Sequence, residues 1–267
     1  MIHPHTYIHH DAKLATNVKV DPFTVIHQNV EIGEGTWIGS NVTIMEGARI
    51  GRNCKIFPGA VISAIPQDLK FSGESSTVEI GNDTTIREFV TIHRGTKDKM
   101  KTVVGNNCLL MAYVHVAHDC FIGNHCILSN CVQVAGHATI GHYSIIGGVT
   151  AVHQFAHIGQ HVFVSGGSLV RKDVPPFIKA GRASLSYAGV NSIGLKRRGF
   201  TIERINHILD IYRIIYNKGF NTTQALEYIE EELPASDERD EIVTFIRNSG
   251  RGIIKRFTKN GSDSDGD

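Results

Sequence analysis

The sequence predicts an all-β solenoid followed by a smaller α-helical C-terminal domain, and three observations carry that reading. Aliphatic residues recur at every sixth position over most of the first 170 residues. Glycine is enriched in phase with them, and beyond about residue 186 the apolar period changes from six to that of a helix. A chain of 267 residues has ample material for a core of this kind.

Steps of six from Ile8 meet Leu14, Val20, Ile26, Ile32, Ile38, Ile44, Ile50, Ile56 and Ile62. The register lapses over 63–79, resumes at Ile80, Ile86 and Ile92, lapses again, and runs from Val104 to Val170. Only 65 of the 267 residues are Ile, Leu or Val, so 25 hits in register lie far beyond chance. Nine of the 27 Gly directly follow an anchor, among them Gly33, Gly51, Gly105 and Gly141, as a backbone that turns every six residues requires. Four places after an anchor the residues are small: Ala12, Thr24, Val42, Ala48 and Ala60. Cys54, Cys108, Cys120 and Cys126 hold that same position, which assigns them to interior packing, while Cys131 falls one place off it.

This repeat resembles the hexapeptide acyltransferases over roughly residues 8–170. The resemblance implies a left-handed parallel β-helix with three hexads per triangular coil, so that residues 18 apart stack in adjacent coils. It also implies a homotrimer of parallel prisms with active sites between subunits, which suits an open solenoid that must cover its ends.

The β-helix is expected over 1–186, with excursions at about 63–79 and 93–103. The helical domain follows over 187–257. Ile202, Ile205, Leu209, Tyr212 and Ile215 make one helical stripe ending near Lys218-Gly219. Asn221 and Gln224 form a capping pair for a second helix carrying Leu226 and Ile229 before Pro234, and a third runs from about Ser236 through Ile242 and Ile246 toward Gly250. The polar, acidic residues 258–267 read as a disordered tail.

A net charge of +1 argues against coating nucleic acid, which needs a surplus of Lys and Arg. No run of 18 apolar residues offers a membrane span and no signal peptide is evident, so a cytoplasmic location is expected. Five Cys without CxxC spacing fit neither a disulfide framework nor a zinc ribbon.

Eight of the fifteen His crowd into 110–161: His115, His118, His125, His137, His142, His153, His157 and His161. The stacking rule puts His118, Gly136 and Gln154 in one column, an imidazole base beside an exposed Gly N–H, which is a constellation for acyl transfer to a hydroxyl. Two other readings stay open. Polar His can merely ladder along a solenoid face, and His115, His118 and His137 have the spacing of a three-imidazole zinc site like that of the hexapeptide carbonic anhydrases.

A narrower resemblance rests on Pro66-Gln67-Asp68-Leu69-Lys70, His93-Arg94-Gly95-Thr96, His115-Val-Ala-His118-Asp119, Ala135-Gly136-His137, Ala151-Val-His153-Gln154-Phe155, Asp173-Val-Pro-Pro176 and Gly194-Leu-Lys-Arg-Arg-Gly-Phe200. Together these strings resemble the cytoplasmic UDP-N-acetylglucosamine O-acyltransferases that open lipid A biosynthesis, over about residues 8–257. The resemblance implies that His118 is the general base toward the glucosamine 3-hydroxyl, that Asp119 orients it, and that the Gly136 amide faces the oxyanion, with no covalent intermediate. It implies that Gln67, Asp68, Lys70, His115, His137, His153 and Gln154 hold the sugar, phosphates or thioester arm, with the 67–70 loop reaching a neighbouring subunit. Asn191, Arg197 and Arg198 would contact the nucleotide. Gly166 would be the acyl-chain ruler, and a Gly there leaves room for a long 3-hydroxyacyl chain. The segment Ser63-Ala64-Ile65 departs from the family's usual Gly and acidic residue, which leaves a 3-amino acceptor open beside the 3-hydroxyl.

No cofactor or metal is implied, since the donor is the phosphopantetheine thioester of acyl carrier protein. That acidic partner calls for a basic docking surface, and residues 171–198 hold Arg171, Lys172, Lys179, Arg182, Lys196, Arg197 and Arg198 against Asp173 alone, a net +6. Two alternatives differ in kind. The N-acyltransferase acting later in the same pathway typically carries an extra N-terminal domain, whereas hexads here begin by Ile8; a structural solenoid would show Thr ladders, which are missing.

Overall fold

The structure of the chain, a computed structural model, describes residues 1–257. The tail expected at 258–267 lies outside the described residues. Each hexad folds as a strand, typically of two residues, that ends on its aliphatic anchor, as in Tyr7–Ile8, Lys13–Leu14 and Lys19–Val20. The anchors point inward: Ile26, Ile44, Ile62, Ile92, Val116 and Val134 are fully buried. Between strands the chain turns through a left-handed residue, and Asn17, Asn29, Asn41 and Asn53 adopt it with φ between 52° and 57°, a region Asn tolerates better than most side chains.

The strands stack into three sheets of nine, eight and ten strands, parallel but for the last pair of the ten-stranded one, the three faces of a left-handed β-helix. The nine-stranded face carries His115–Val116, the eight-stranded face Phe121–Ile122 and the ten-stranded face Ile127–Leu128. Register follows the three-hexad rule where the repeat is unbroken: His115 pairs with Gln133, and Gln133 with Ala151, each 18 residues on. The four small-position Cys are buried, as expected, and each thiol donates to a backbone carbonyl 3.1 Å away. Cys131 is exposed.

Both lapses of register are corner insertions, and they emerge at the same corner. Ile44 pairs with Ile62, 18 residues on, but Ile50 pairs with Ile80, 30 on, so twelve residues are added between Ile62 and Ile80. Ile92 pairs with Val116, 24 on, but Val104 pairs with Ile122, 18 on, so six are added between Ile92 and Val104. Strands Val61–Ala64 and Thr77–Ile80 narrow the first loop to 65–76, and Thr91–His93 and Lys101–Val104 narrow the second to 94–100. Each loop leaves the nine-stranded face and returns on the eight-stranded one. In later coils that corner carries 117–120, 135–138 and 153–156.

The all-β part runs a few residues past the expected boundary, because Ile178–Gly181 and Ser186–Val190 form an antiparallel pair closing the ten-stranded face. A short helix α1 (Ser192–Arg197) follows, which the helical stripe beginning at Ile202 does not foretell. Helices α2 (Ile202–Asn217), α3 (Thr222–Glu232) and α4 (Asp237–Arg247) match the three expected, and Asn221 and Gln224 make the capping box. The domain docks on the solenoid end: the buried Tyr212 hydroxyl donates to the Pro176 carbonyl at 2.6 Å, and buried Asp173 accepts from the His157 N–H and the Ser249 hydroxyl. Among the described residues no helix is long and apolar enough to cross a membrane.

Candidate active site

The site grows from the corner between the nine- and eight-stranded faces. Stacking brings His118 and Gly136 together: the His137 N–H donates to the His118 carbonyl at 3.0 Å and the Phe155 N–H to the Gly136 carbonyl at 3.1 Å, so successive coils superpose here. The His118 ring lies over Gly136, where an added Cβ would come 2.7 Å from both imidazole Cε1 and Nε2. The Gly136 N–H makes no hydrogen bond among the described residues.

Asp119 occupies the left-handed turn position, with φ 59°, and is wholly buried. Its carboxylate can only accept, so the contact of 2.8 Å to His118 Nδ1 fixes the proton on Nδ1 and leaves the Nε2 lone pair free. The 94–100 loop supplies the remaining donors: Thr96 N–H at 3.0 and 3.1 Å, Thr96 Oγ1 at 2.7 Å and Lys99 N–H at 3.2 Å. Burial alone would raise the Asp119 pKa, but the hydrogen bonds from His118, Thr96 and Lys99 outweigh it and hold the carboxyl below its ordinary range. His137 stands edge-on to His118, with ring centroids 5.0 Å apart, and its Nδ1 lies 3.1 Å from Asp98.

A cavity of about 320 Å³ opens beside this pair, lined by Gln67, His93, His115, His118, Gln133 and Gly136 among others. His93 is pushed down to about 4 by burial and by the neighbouring His115 and His118, and His115 is lowered by burial and by His118, so both face the cavity as neutral imidazoles at neutral pH. His115 Nδ1 lies 2.7 Å from the Thr91 hydroxyl.

Of the residues singled out in the sequence, Gln67, His115, His118 and Gly136 line one cavity, with Asp119 and His137 packed against it. Gln67 faces the cavity of its own chain, beside His93. Asp68 instead accepts from the Lys70 N–H at 2.9 Å within its loop, and Lys70 is exposed. His153 and Gln154 lie exposed one coil on, with His153 Nδ1 3.1 Å from Arg251 of the C-terminal segment. Gly166 sits at the opposite edge of the nine-stranded face, where a Cβ would approach the Gly148 carbonyl to 3.0 Å.

The residues expected at the nucleotide stand at another corner. Asn191 caps α1 by accepting from the Gly194 N–H and donates to the His161 carbonyl, so both ends of its amide are committed within the chain. Arg198 closes α1 and lies over Tyr143, 5.4 Å from the ring centroid, with a buried Nη1 that has no partner; buried His161 Nδ1 has none either. Arg197 is exposed. The expected basic face is not a single face of this chain. Arg171 and Lys172 extend the corner of His153 and Gln154, whereas Lys179 lies on the ten-stranded face and Arg182 covers Phe257 at 4.2 Å.

The three-imidazole zinc set is not assembled, because His115 turns to Thr91 and His93. The buried group with ligand atoms within 4.8 Å of one another is His118, Asp119 and His137, but there the Asp119 oxygens already accept from Thr96, Lys99 and His118. His9, His10 and Asp11 form an exposed group of the same kind in the first coil. His93 and Thr96, quoted in the sequence only as part of a motif string and given no role there, belong to the site, as do Lys99 and Gln133, which the sequence did not single out. The 18-residue rule reaches Gln133 from His115; His93 ends the strand whose offset to the next coil is 24, and Thr96 and Lys99 lie within the inserted loop itself.

The hexapeptide family of bacterial transferases matches residues 29–64 and 101–136, and the family described as UDP N-acetylglucosamine O-acyltransferase, domain 2, matches residues 173–254. A relative from Sulfurihydrogenibium, the acyl-(acyl-carrier-protein)–UDP-N-acetylglucosamine O-acyltransferase, is 59% identical over 259 residues, covering 97% of this chain and 96% of the relative. The chain belongs to the UDP-N-acetylglucosamine O-acyltransferases. The crystal structure of the Bacteroides fragilis UDP-N-acetylglucosamine acyltransferase is 53% identical, with TM-score 0.93 over 96% of this chain and all of that one. The Arabidopsis UDP-N-acetylglucosamine acyltransferase, at 30% identity, still superposes with TM-score 0.78 over 96% of this chain. As a member of this acyltransferase family the chain carries both parts expected of it, the hexapeptide solenoid and the C-terminal domain.

Proposed function

We propose that this acyltransferase moves a (R)-3-hydroxyacyl chain from acyl carrier protein to the 3-hydroxyl of UDP-N-acetylglucosamine, the first step of lipid A biosynthesis, in the cytoplasm. The relatives' names supply donor and acceptor. The observation that carries the mechanism is His118, with Nδ1–H bound to Asp119 and Nε2 over Gly136 at the cavity wall. A sugar hydroxyl is a poor nucleophile at neutral pH, and an imidazole with a free Nε2 lone pair is the group suited to take its proton. As the oxygen attacks the thioester carbon, charge builds on the carbonyl oxygen, and the unpartnered Gly136 N–H is the donor to receive it. Collapse breaks the C–S bond, and the leaving thiolate takes the proton back from His118 Nε2.

The nucleotide end falls to Arg198, whose buried and unpartnered Nη1 suits an anion, with Arg197 beside it. Exposed Tyr113, Val149 and Leu169 and the fully exposed Leu69 are apolar surface that a trimer of parallel solenoids would cover, bringing corners of different subunits together. Gly166 leaves the far edge of the face open to a long acyl chain.

The test is a transfer assay with carrier-protein donors of several chain lengths, comparing the wild type with His118→Ala. General-base losses run to about 10²-fold or more. Retention of more than about a tenth of the wild-type rate rejects His118 as the base, and activity on acetyl-coenzyme A alone rejects the carrier-protein donor.

A further inference from the structure

We infer that the 94–100 loop positions the general base: Thr96, together with the Lys99 backbone, fixes the Asp119 carboxylate so that His118 presents Nε2 to the acceptor. This rests on the reading of His118 as base. Thr96 is a positioning residue, since it acts through Asp119 and does not line the cavity.

The donor inventory makes the case. A wholly buried carboxylate needs several donors, and only His118 reaches Asp119 from the catalytic coil itself. Oδ1 accepts from the Thr96 and Lys99 N–H groups, and Oδ2 from the Thr96 hydroxyl and N–H as well as His118. Without the loop, the buried carboxylate would keep one hydrogen bond, from His118, with His137 Nε2 no nearer than 3.9 Å, a costly arrangement that solvent entry or rotation of the carboxylate would relieve.

The loop is itself tied down. The Met100 N–H donates to the Thr96 carbonyl at 2.8 Å, the Lys99 ammonium to the Asp119 carbonyl at 3.2 Å, and the Ser76 hydroxyl to the Gly95 carbonyl. Gly95 allows the tight exit, because a Cβ there would run into the Lys101 backbone. The six added residues thus sit where they fix one carboxylate, and that carboxylate sets the tautomer of one imidazole. With Oδ2 released, the Nε2–H tautomer becomes accessible, and in it the imidazole offers the acceptor a proton where a lone pair is needed.

The test compares Thr96→Val, which removes the hydroxyl while nearly keeping the shape, with Thr96→Ser, which restores it, in the full chain. Thr96→Val should lower kcat about 10-fold with KM for both substrates within about twofold, and Thr96→Ser should return kcat to within about threefold. Nitrogen-15 NMR of His118 should show the Nδ1-protonated tautomer in wild type and Thr96→Ser, and a mixture in Thr96→Val. A Thr96→Val kcat within twofold of wild type, a loss confined to KM, or no rescue by Ser overturns the inference. Should Thr96→Val not fold, the wild-type and Thr96→Ser spectra decide, and an Nε2–H tautomer in either overturns it. His118→Ala separates the two ideas: an active His118→Ala removes the base reading, whereas an inactive one beside a fully active Thr96→Val removes only the clamp.

Discussion

Gly136 gives the His118 imidazole its place: a methyl group on that α-carbon would lie 2.7 Å from both Cε1 and Nε2. Carbon contacts in proteins sit near 3.5–4.0 Å, so ring and side chain cannot share the space. Gly136→Ala should therefore turn the imidazole away from the cavity and lower kcat about 10²-fold or more, and should also lower the melting temperature, since Gly136, His118 and Asp119 are all buried. Steady-state kinetics beside thermal unfolding checks both halves.

His161 stacks between Tyr143 and Phe177, with centroids 4.9 and 5.7 Å away. Burial, then Arg198, His142 and Arg204, push its pKa down to about 4. The unfolded chain takes up a proton near pH 6.5 that the folded chain refuses until about 4, so stability falls as pH drops across that window. His161→Phe keeps the stack and should reduce the loss between pH 7 and pH 4 by about 2–3 kcal/mol in denaturant titrations.

Glu241 works in the opposite sense. Burial and the nearby Glu238 raise its pKa to about 7, against the Gln160 hydrogen bond that lowers it. Its stabilisation is complete below about pH 4.5 and is lost as pH rises through 7. Glu241→Gln should gain about 1–2 kcal/mol at pH 8 and nothing at pH 4, read as melting temperature against pH.

Asp173 joins the solenoid to the C-terminal segment. Its carboxylate accepts from the His157 N–H at 2.8 Å and the Ser249 hydroxyl at 2.6 Å, and its backbone pairs with Gly252 and Ile254. Asp173→Ala leaves the part-buried His157 N–H and the Ser249 hydroxyl without their acceptor and should cost about 1–3 kcal/mol. The melting temperature should fall, with kcat at permissive temperature little changed.

The solenoid was legible because one rule, an inward aliphatic residue every six, is set by local geometry, and the column of His118 over Gly136 follows by adding 18. The same arithmetic fails across the insertions: Thr91 pairs with His115 at an offset of 24, so His93, Thr96 and Lys99 fall outside any column drawn from His118. Helix α1 is too short to show a period of its own. Nearness in sequence does not bring the basic run onto one face, because beyond Val170 the hexads have ended and the chain passes from a corner through Ile178–Gly181 on the ten-stranded face, its antiparallel return and helix α1.

The shared corner of the two inserted loops makes this edge of the solenoid editable. In the ladders each strand pairs only with the strands of the coils directly before and after it, and neither twelve added residues nor six disturb the pairing of Ile62 with Ile92 or Ile92 with Val116. Length changes at this corner are absorbed where they arise, so the chemistry's surroundings can be rebuilt by loop exchange while the stack beneath keeps its register.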